Sequence, residues 1–223
     1  MGFGIRIRVS GPRACFTRPE MKAERVSYDV ITPSAARGII EAIYWKPSIR
    51  WVIDRVEVLN EIRFDTFRRN ELESKLSYAN AKKACEKDAA LYIAASENRQ
   101  QRATTYLRDV SYLIDAHFEM TDCAGEQDDG PLKHYNIVMR RLRKGQHFVQ
   151  PVLGCREFPA AVELAEDDES LQGFYRDVSE KDLGYMLYDL DFSNPDSPDP
   201  LFFRAVMRHG IIDVASSREK VVS

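Results

Sequence analysis

The residues best equipped for chemistry lie in one window. PLKHYNIVMRRLRKGQHFVQ, residues 131–150, holds five Lys/Arg, two His and no carboxylate, and within it Lys133, His134 and Tyr135 are consecutive. Histidine titrates near neutrality, and a lysine beside it favours the neutral imidazole by like-charge repulsion, which suits a general base. Histidine, lysine and tyrosine can together transesterify a ribonucleotide chain without a metal. One group removes the 2′-hydroxyl proton, one stabilises the phosphorane oxygens, and one protonates the 5′-oxygen leaving group. A surface Lys-His pair with no catalytic role has the same sequence, so the dipeptide alone does not decide.

Other chemistries lose their supports. The chain has no Walker A, GxGxxG, HExxH, GxSxG or EF-hand pattern, which removes the main motifs for nucleotide, dinucleotide, zincin, hydrolase and calcium sites. Its four cysteines (Cys15, Cys85, Cys123, Cys155) show no CxxC spacing. Reduced thiols of a cytoplasmic protein are therefore expected, with no zinc knuckle, metal or cofactor. The longest apolar run, Ala89 to Ala95, is too short to span a membrane, and the N-terminus lacks a secretory apolar core.

The elements that position these groups follow from periodicity. Ile5, Ile7 and Val9 alternate with Arg6 and Arg8, predicting a half-buried strand with a basic face. Thr32-Pro33 opens a helix whose stripe runs Ala36, Ile40, Tyr44 and which ends at Lys46-Pro47. Tyr44 on that stripe is equally a core residue. Trp51 to Leu59 and Tyr112 to Met120 read as further strands, Leu132 to Lys144 as a helix capped by Gly145, and Val149 to Leu153 as a fourth strand. On that helix Tyr135, Val138, Met139 and Leu142 face inward and Arg140, Arg141 and Lys144 outward. Between them, about 66–104 is a polar insertion, partly helical by its alanines, read as an inserted hairpin or a mobile subregion, and Asp128-Asp129-Gly130-Pro131 is a loop.

The order strand, helix, strand, strand, helix, strand is an α+β, ferredoxin-like (RRM-like) βαββαβ pattern, assigned to residues 1–165. Arginines on the first strand replace the stacking aromatics of a plain RRM. Past an acidic linker, Tyr185–Leu190, Leu201–Val206 and Ile211–Val214 predict a small C-terminal antiparallel β-sheet domain over 166–223, with Asn194-Pro195 in a turn.

Charge is unevenly spread along the 223 residues. The formal charge of −3 argues against a nucleic-acid partner until the chain is divided. Residues 1–160 carry 26 basic and 21 acidic side chains, residues 161–200 carry 2 and 12, and residues 201–223 carry 4 and 2. The body is basic and the acid is confined to one late segment. Charge alone fits both a solvated helix face and a phosphate-binding surface.

Two motifs and a loop add specificity. IIEAIYWKPSIRWVIDRVEVL (39–59), LKHYNIVMRRLRKGQ (132–146) and LGCREFPA (153–160) resemble a CRISPR-associated family: the fifth Cas family in its subtype I-C form, the d or Dvulg variant of the RAMP superfamily. The resemblance runs from the first strand to about residue 214. It implies an endoribonuclease that cuts the CRISPR precursor transcript at the 3′ base of each repeat hairpin. It also implies that the protein stays on the crRNA 5′ handle within the type I-C interference complex. The family's catalytic tyrosine maps to Tyr44 and its lysine–histidine pair to Lys133 and His134. Other subtypes of the family act as non-catalytic crRNA-binding scaffolds, which is the alternative reading.

The predicted elements suit that site. Two roughly antiparallel helices on one sheet face bring the end of the first, at Tyr44, towards the start of the second, where backbone N–H groups favour a phosphate. Which of His134 and Tyr44 takes the 2′-hydroxyl proton stays open. Arg6, Arg8, Arg140, Arg141, Arg143 and Lys144 are the expected phosphate contacts, with Lys46, His147 and Arg156 added and Trp45 as a stacking candidate. His117 reads as a sheet-surface residue and His209-Gly210 as a turn. The isolated chain is expected to be a monomer, and a surface that reads phosphates without sequence also admits duplex DNA.

Overall fold

Strand β1 (Gly4–Ala14) buries Ile5, Ile7 and Val9 on one face and leaves Arg6 and Arg8 half-buried on the other, as alternation requires of a strand covered on one side. The computed structural model describes residues 3–21, 23–123, 130–165, 173–194 and 196–222. Asp128 and Asp129, residues 166–172 of the acidic linker, and Pro195 lie outside the described residues. After β1 come β2 (Arg25–Val26), α1 (Pro33–Ile43), β3 (Ile49–Val58), β4 (Phe64–Leu72), α2 (Tyr78–Glu86) and β5 (Arg99–Met120). There follow α3 (Pro131–Arg143), β6 (Ala161–Leu164), β7 (Lys181–Asp191), β8 (Asp199–Arg208), β9 (Ile211–Asp213) and a 3-10 helix over Ala215–Lys220.

The fold is α+β with a mostly antiparallel sheet. Among the described residues the sheet has nine strands in the order β6-β1-β5-β3-β9-β8-β7, with β2 and β4 also on β5. Its β2–β5 ladder alone is parallel. Register places Ile7 beside Ile114 and Ile114 beside Val56, so one apolar face runs across β1, β5 and β3. Helices α1 and α3 contribute Ala36, Ile39, Ile40, Ile43, Val138 and Leu142 to the same core. Each isoleucine so buried contributes about 1.5–3 kcal/mol. Among the described residues no helix is long and apolar enough to cross a membrane.

Both helix starts and stops have local causes. The Thr32 side chain accepts from the Ala35 N–H and Pro33 occupies the first turn. Just past α3 the Gly145 N–H bonds Leu142 O, and the φ of 61° at Gly145 turns the chain so that the Gln146 N–H reaches Arg141 O. That pair of bonds closes the helix and fixes the direction of the chain beyond it.

Two expectations change. Val149–Leu153 forms no strand: Pro151 and Gly154 break it, and Leu153 is buried as part of a loop, its N–H on Phe158 O. The strand beside β1 is instead β6, where half-buried Val162 and Leu164 alternate with exposed Ala161 and Glu163. The polar stretch 66–104 takes the hairpin form of its two expected readings, β4 on the first half of β5, with α2 near its tip. The three C-terminal strands are hydrogen-bonded into the main sheet, because β9 pairs with β3 through Val56 and Ile212.

Candidate active site

The end of α1 meets the start of α3. Pro47 prevents the helix from continuing, and Tyr44 leaves it in an extended conformation (φ −154°, ψ 121°) with its N–H still on Ile40 O. The Trp51 indole N–H donates to Tyr44 O at 2.8 Å. From α3, Arg141 donates to Ile43 O and holds its guanidinium carbon 5.2 Å from the Tyr44 ring centroid. Sequence and helix geometry thus place the phenol from three sides.

His134, in the first turn of α3, completes the pair. The Tyr44 hydroxyl lies 2.8 Å from His134 Nδ1, and the Ser48 hydroxyl 3.3 Å from Nε2. The imidazole is walled by Phe118, at 6.1 Å between ring centroids, and Phe118 in turn packs edge-on against Trp51 and stacks on Phe3. His134 is 1% exposed and Tyr44 2%. A neutral imidazole satisfies both partners in either tautomer. The Tyr44 O–H donates to Nδ1 while Nε2–H donates to Ser48, or Ser48 donates to Nε2 while Nδ1–H donates to the phenol oxygen. Exchanging one arrangement for the other moves a proton along Ser48–His134–Tyr44, which is the capacity that general acid–base chemistry needs.

The predicted site residues divide into two groups. Lys133 is exposed on the turn that buries His134, and Trp45 and Lys46 are exposed directly after Tyr44. Arg140, Arg143, Lys144 and His147 are exposed at the other end of α3 and beyond. Among the described residues no carboxylate pairs with Lys46, Arg140, Arg143 or Lys144. Arg141, expected to face outward, is half-buried over Tyr44 instead.

Arg6 and Arg8 stand elsewhere. They project from the sheet face opposite to Ile5 and Ile7, hence away from α1 and α3. Arg6 is paired with Asp115 at 2.6 Å, and Asp115 also takes Arg55 at 2.7 Å. Burial opposes ionisation of Asp115, but the two guanidinium groups overrule it and hold the carboxyl below its ordinary value. Arg8 donates to the Ser111 hydroxyl. Arg156 is exposed but belongs to the loop packed on Cys15, beyond the far end of β1 from His134. His117 binds Asp54 on the helix-free face, and His209 sits in a turn at φ 50°.

Sequence reasoning missed Ser48, Trp51 and Phe118 as parts of this site. Ser48, a serine just after Pro47, carries no sequence signal and is recognised only by its burial in the structure; Trp51 and Phe118 read only as strand residues. Among the described residues no group of three or more His, Cys, Asp or Glu is placed to hold a metal.

Known proteins share this arrangement of chain. A crystal structure described as that of a CRISPR-associated protein superposes with a TM-score of 0.70 at 28% identity, covering 99% of this chain and 96% of the other. A protein of Mannheimia succiniciproducens described as CRISPR pre-crRNA endoribonuclease Cas5d is 51% identical over 94% of each chain. One of the same description from Thermus thermophilus is 37% identical over 96% of this chain and 92% of its own. The family model for CRISPR-associated protein (Cas_Cas5), in its Cas5d form, matches residues 4–215. The chain belongs to that family.

Proposed function

We propose that this protein is a CRISPR precursor-RNA endoribonuclease that cuts at the 3′ base of the repeat hairpin by attack of the 2′-hydroxyl on the adjacent phosphate. The bond between phosphorus and the 5′-oxygen breaks, leaving a 2′,3′-cyclic phosphate and a 5′-hydroxyl. The observation that carries the reading is the 2.8 Å contact between Tyr44 and His134. Both relatives are named as CRISPR pre-crRNA endoribonucleases, which supports the endoribonuclease part of this reading, and both span almost the whole chain. His134 and Tyr44 exchange the protons, Lys133 stabilises the phosphorane charge, and the exposed Arg140, Arg143 and Lys144 hold the backbone phosphates.

The strand order β6-β1-β5-β3, antiparallel throughout, supports reading residues 1–165 as a ferredoxin-like unit that carries this chemistry. After cleavage the protein remains, in this reading, on the crRNA 5′ handle among the other subunits of the type I-C interference complex. A monomeric state of the isolated chain and sequence-independent binding of duplex DNA belong to the same proposal.

One observation favours a non-catalytic scaffold: Tyr44 and His134 are buried and both imidazole nitrogens are engaged. Incubating the purified chain with repeat RNA in EDTA separates the two readings. Cleavage to a cyclic phosphate, abolished by a 2′-deoxy substitution at the nucleotide before the scissile bond, is expected. No cleavage, or cleavage only with divalent metal, overturns the mechanism.

A further inference from the structure

Beyond α3 the chain carries an aromatic side chain that the proposed chemistry does not use. Phe148 is 82% exposed, and Val149 beside it 57%. This is not a loose loop tip. The Phe148 and Val149 N–H groups both donate to Ala42 O, at 2.9 and 3.1 Å, and Gly145 fixes the departure from α3. Ala42 lies two residues before Tyr44 and three before Trp45, itself 53% exposed. The backbone therefore holds Phe148 outward at the end of α1 from which Tyr44 emerges.

Charge identifies what such a side chain meets. Around Phe148 in sequence stand Arg140, Arg143, Lys144 and His147, and across the α1 end stands Lys46, all exposed, with no carboxylate anywhere in 131–150. Two other exposed aromatics have the opposite setting: Tyr185 and Phe192, 62% and 57% exposed, lie in the acidic segment 161–200. A rigid aromatic among exposed cations is the composition of a single-strand platform, where phosphates track the cations and an unpaired base stacks on the ring. Paired bases offer no such face, and A-form grooves admit little side-chain reading.

We infer that Phe148, flanked by Trp45, is a stacking platform for unpaired bases of the single-stranded RNA next to the scissile phosphate, and so a determinant of which flank is accepted. The inference rests on the RNA-cleavage reading and adds a specificity-determining residue to it.

The test uses the full chain and repeat hairpin RNA with its single-stranded flank, made uncleavable by the 2′-deoxy nucleotide and carrying 2-aminopurine at successive unpaired positions. Wild-type protein is expected to quench one of these positions. Phe148→Ala should lose that quenching and weaken binding of the flanked RNA by about 5- to 100-fold, while binding of a hairpin trimmed of its flank is unchanged. Phe148→Trp should restore both, and Phe192→Ala should change neither. Equal quenching and affinity in Phe148→Ala and wild type overturn the inference. So does a loss confined to binding a protein subunit of the assembly. Failure of the RNA-cleavage reading shows separately, as absence of binding and cutting by the wild-type chain, and takes this inference with it.

Discussion

The Tyr44 hydroxyl and His134 Nδ1 lie 2.8 Å apart although 90 residues separate them in the chain. The pair forms because α1 stops one residue before Tyr44 and α3 starts three before His134. His134→Ala and Tyr44→Phe are each expected to lower the single-turnover cleavage rate by about 10²- to 10⁴-fold, with RNA affinity retained. The double variant should be little slower than the worse single one, because the two act as a unit. A Tyr44→Phe protein that cuts at the native rate removes the phenol from the chemistry.

Trp51 is a positioning residue. Its N–H is bonded to Tyr44 O in a buried setting, so Trp51→Phe leaves that carbonyl without this donor and costs about 1–3 kcal/mol of stability. The discriminating measurement is kinetic. Cleavage at saturating RNA should fall while RNA affinity holds, whereas a merely structural tryptophan would lower the melting temperature and leave the rate of the folded fraction intact.

The sequence made the two halves of this pair visible but not their surroundings. Thr32-Pro33 and Lys46-Pro47 bracket α1, and the apolar stripe of α3 ends at Gly145, so helix positions could be read from local rules. What could not be read is what β3 and β5 bring beneath the helices. Trp51 and Phe118 enter the site only through long-range pairing, in which they face each other across the ladder, and Ser48 stands on the turn just before β3. The half of β5 beyond the main sheet had no strand pattern to read, because its less exposed face carries Gln100, Arg102 and Thr104 and so shows little apolar alternation. The fourth strand was misplaced for the converse reason: a buried apolar loop and a short buried strand have the same composition, and Pro151 and Gly154 were the only warning.

Pairing separates the arginines that can serve RNA from those that cannot. Arg6 is neutralised by Asp115, while Arg143 and Lys144 have no carboxylate partner among the described residues. Log affinity against log salt should therefore flatten when Arg143 and Lys144 are replaced by alanine, by about 0.7 to 0.9 for each phosphate no longer neutralised. Arg6→Ala should leave that slope unchanged. An equal flattening in Arg6→Ala would place RNA on the helix-free face.

Gly154 has a steric reason to be glycine. At φ 84°, an added Cβ would fall 2.0 Å from Cys15 O, a backbone atom that cannot swing aside. Gly154→Ala is expected to destabilise by more than about 3 kcal/mol, read as a shift in denaturant midpoint. Gly38→Ala, where nothing lies within 4 Å inside α1, should stabilise by up to about 1 kcal/mol.

The same loop carries a pH dependence. The Cys155 thiol lies below its ordinary value of 9.0 through a hydrogen bond with the Cys15 thiol, with burial opposing and the Arg25 guanidinium, 3.3 Å from the sulfur, assisting. Its partner Cys15 is pushed up by that same hydrogen bond and by burial. A lowered native value means that between it and 9.0 the folded protein holds a thiolate where the unfolded chain holds a thiol. The unfolded state then binds more protons, so stability rises with pH across that interval and is lost as pH falls through the native value. Above 9.0 the sign reverses for Cys15, which keeps its proton in the fold while the unfolded thiol ionises. Urea midpoints measured from pH 5 to pH 10 under reducing conditions should rise towards 9.0 and then turn down. Cys155→Ser should flatten the rising limb, and Arg25→Gln should shift it towards 9.0, since a thiol without its cation ionises later. A rising limb that survives unchanged in both variants would assign it to other groups.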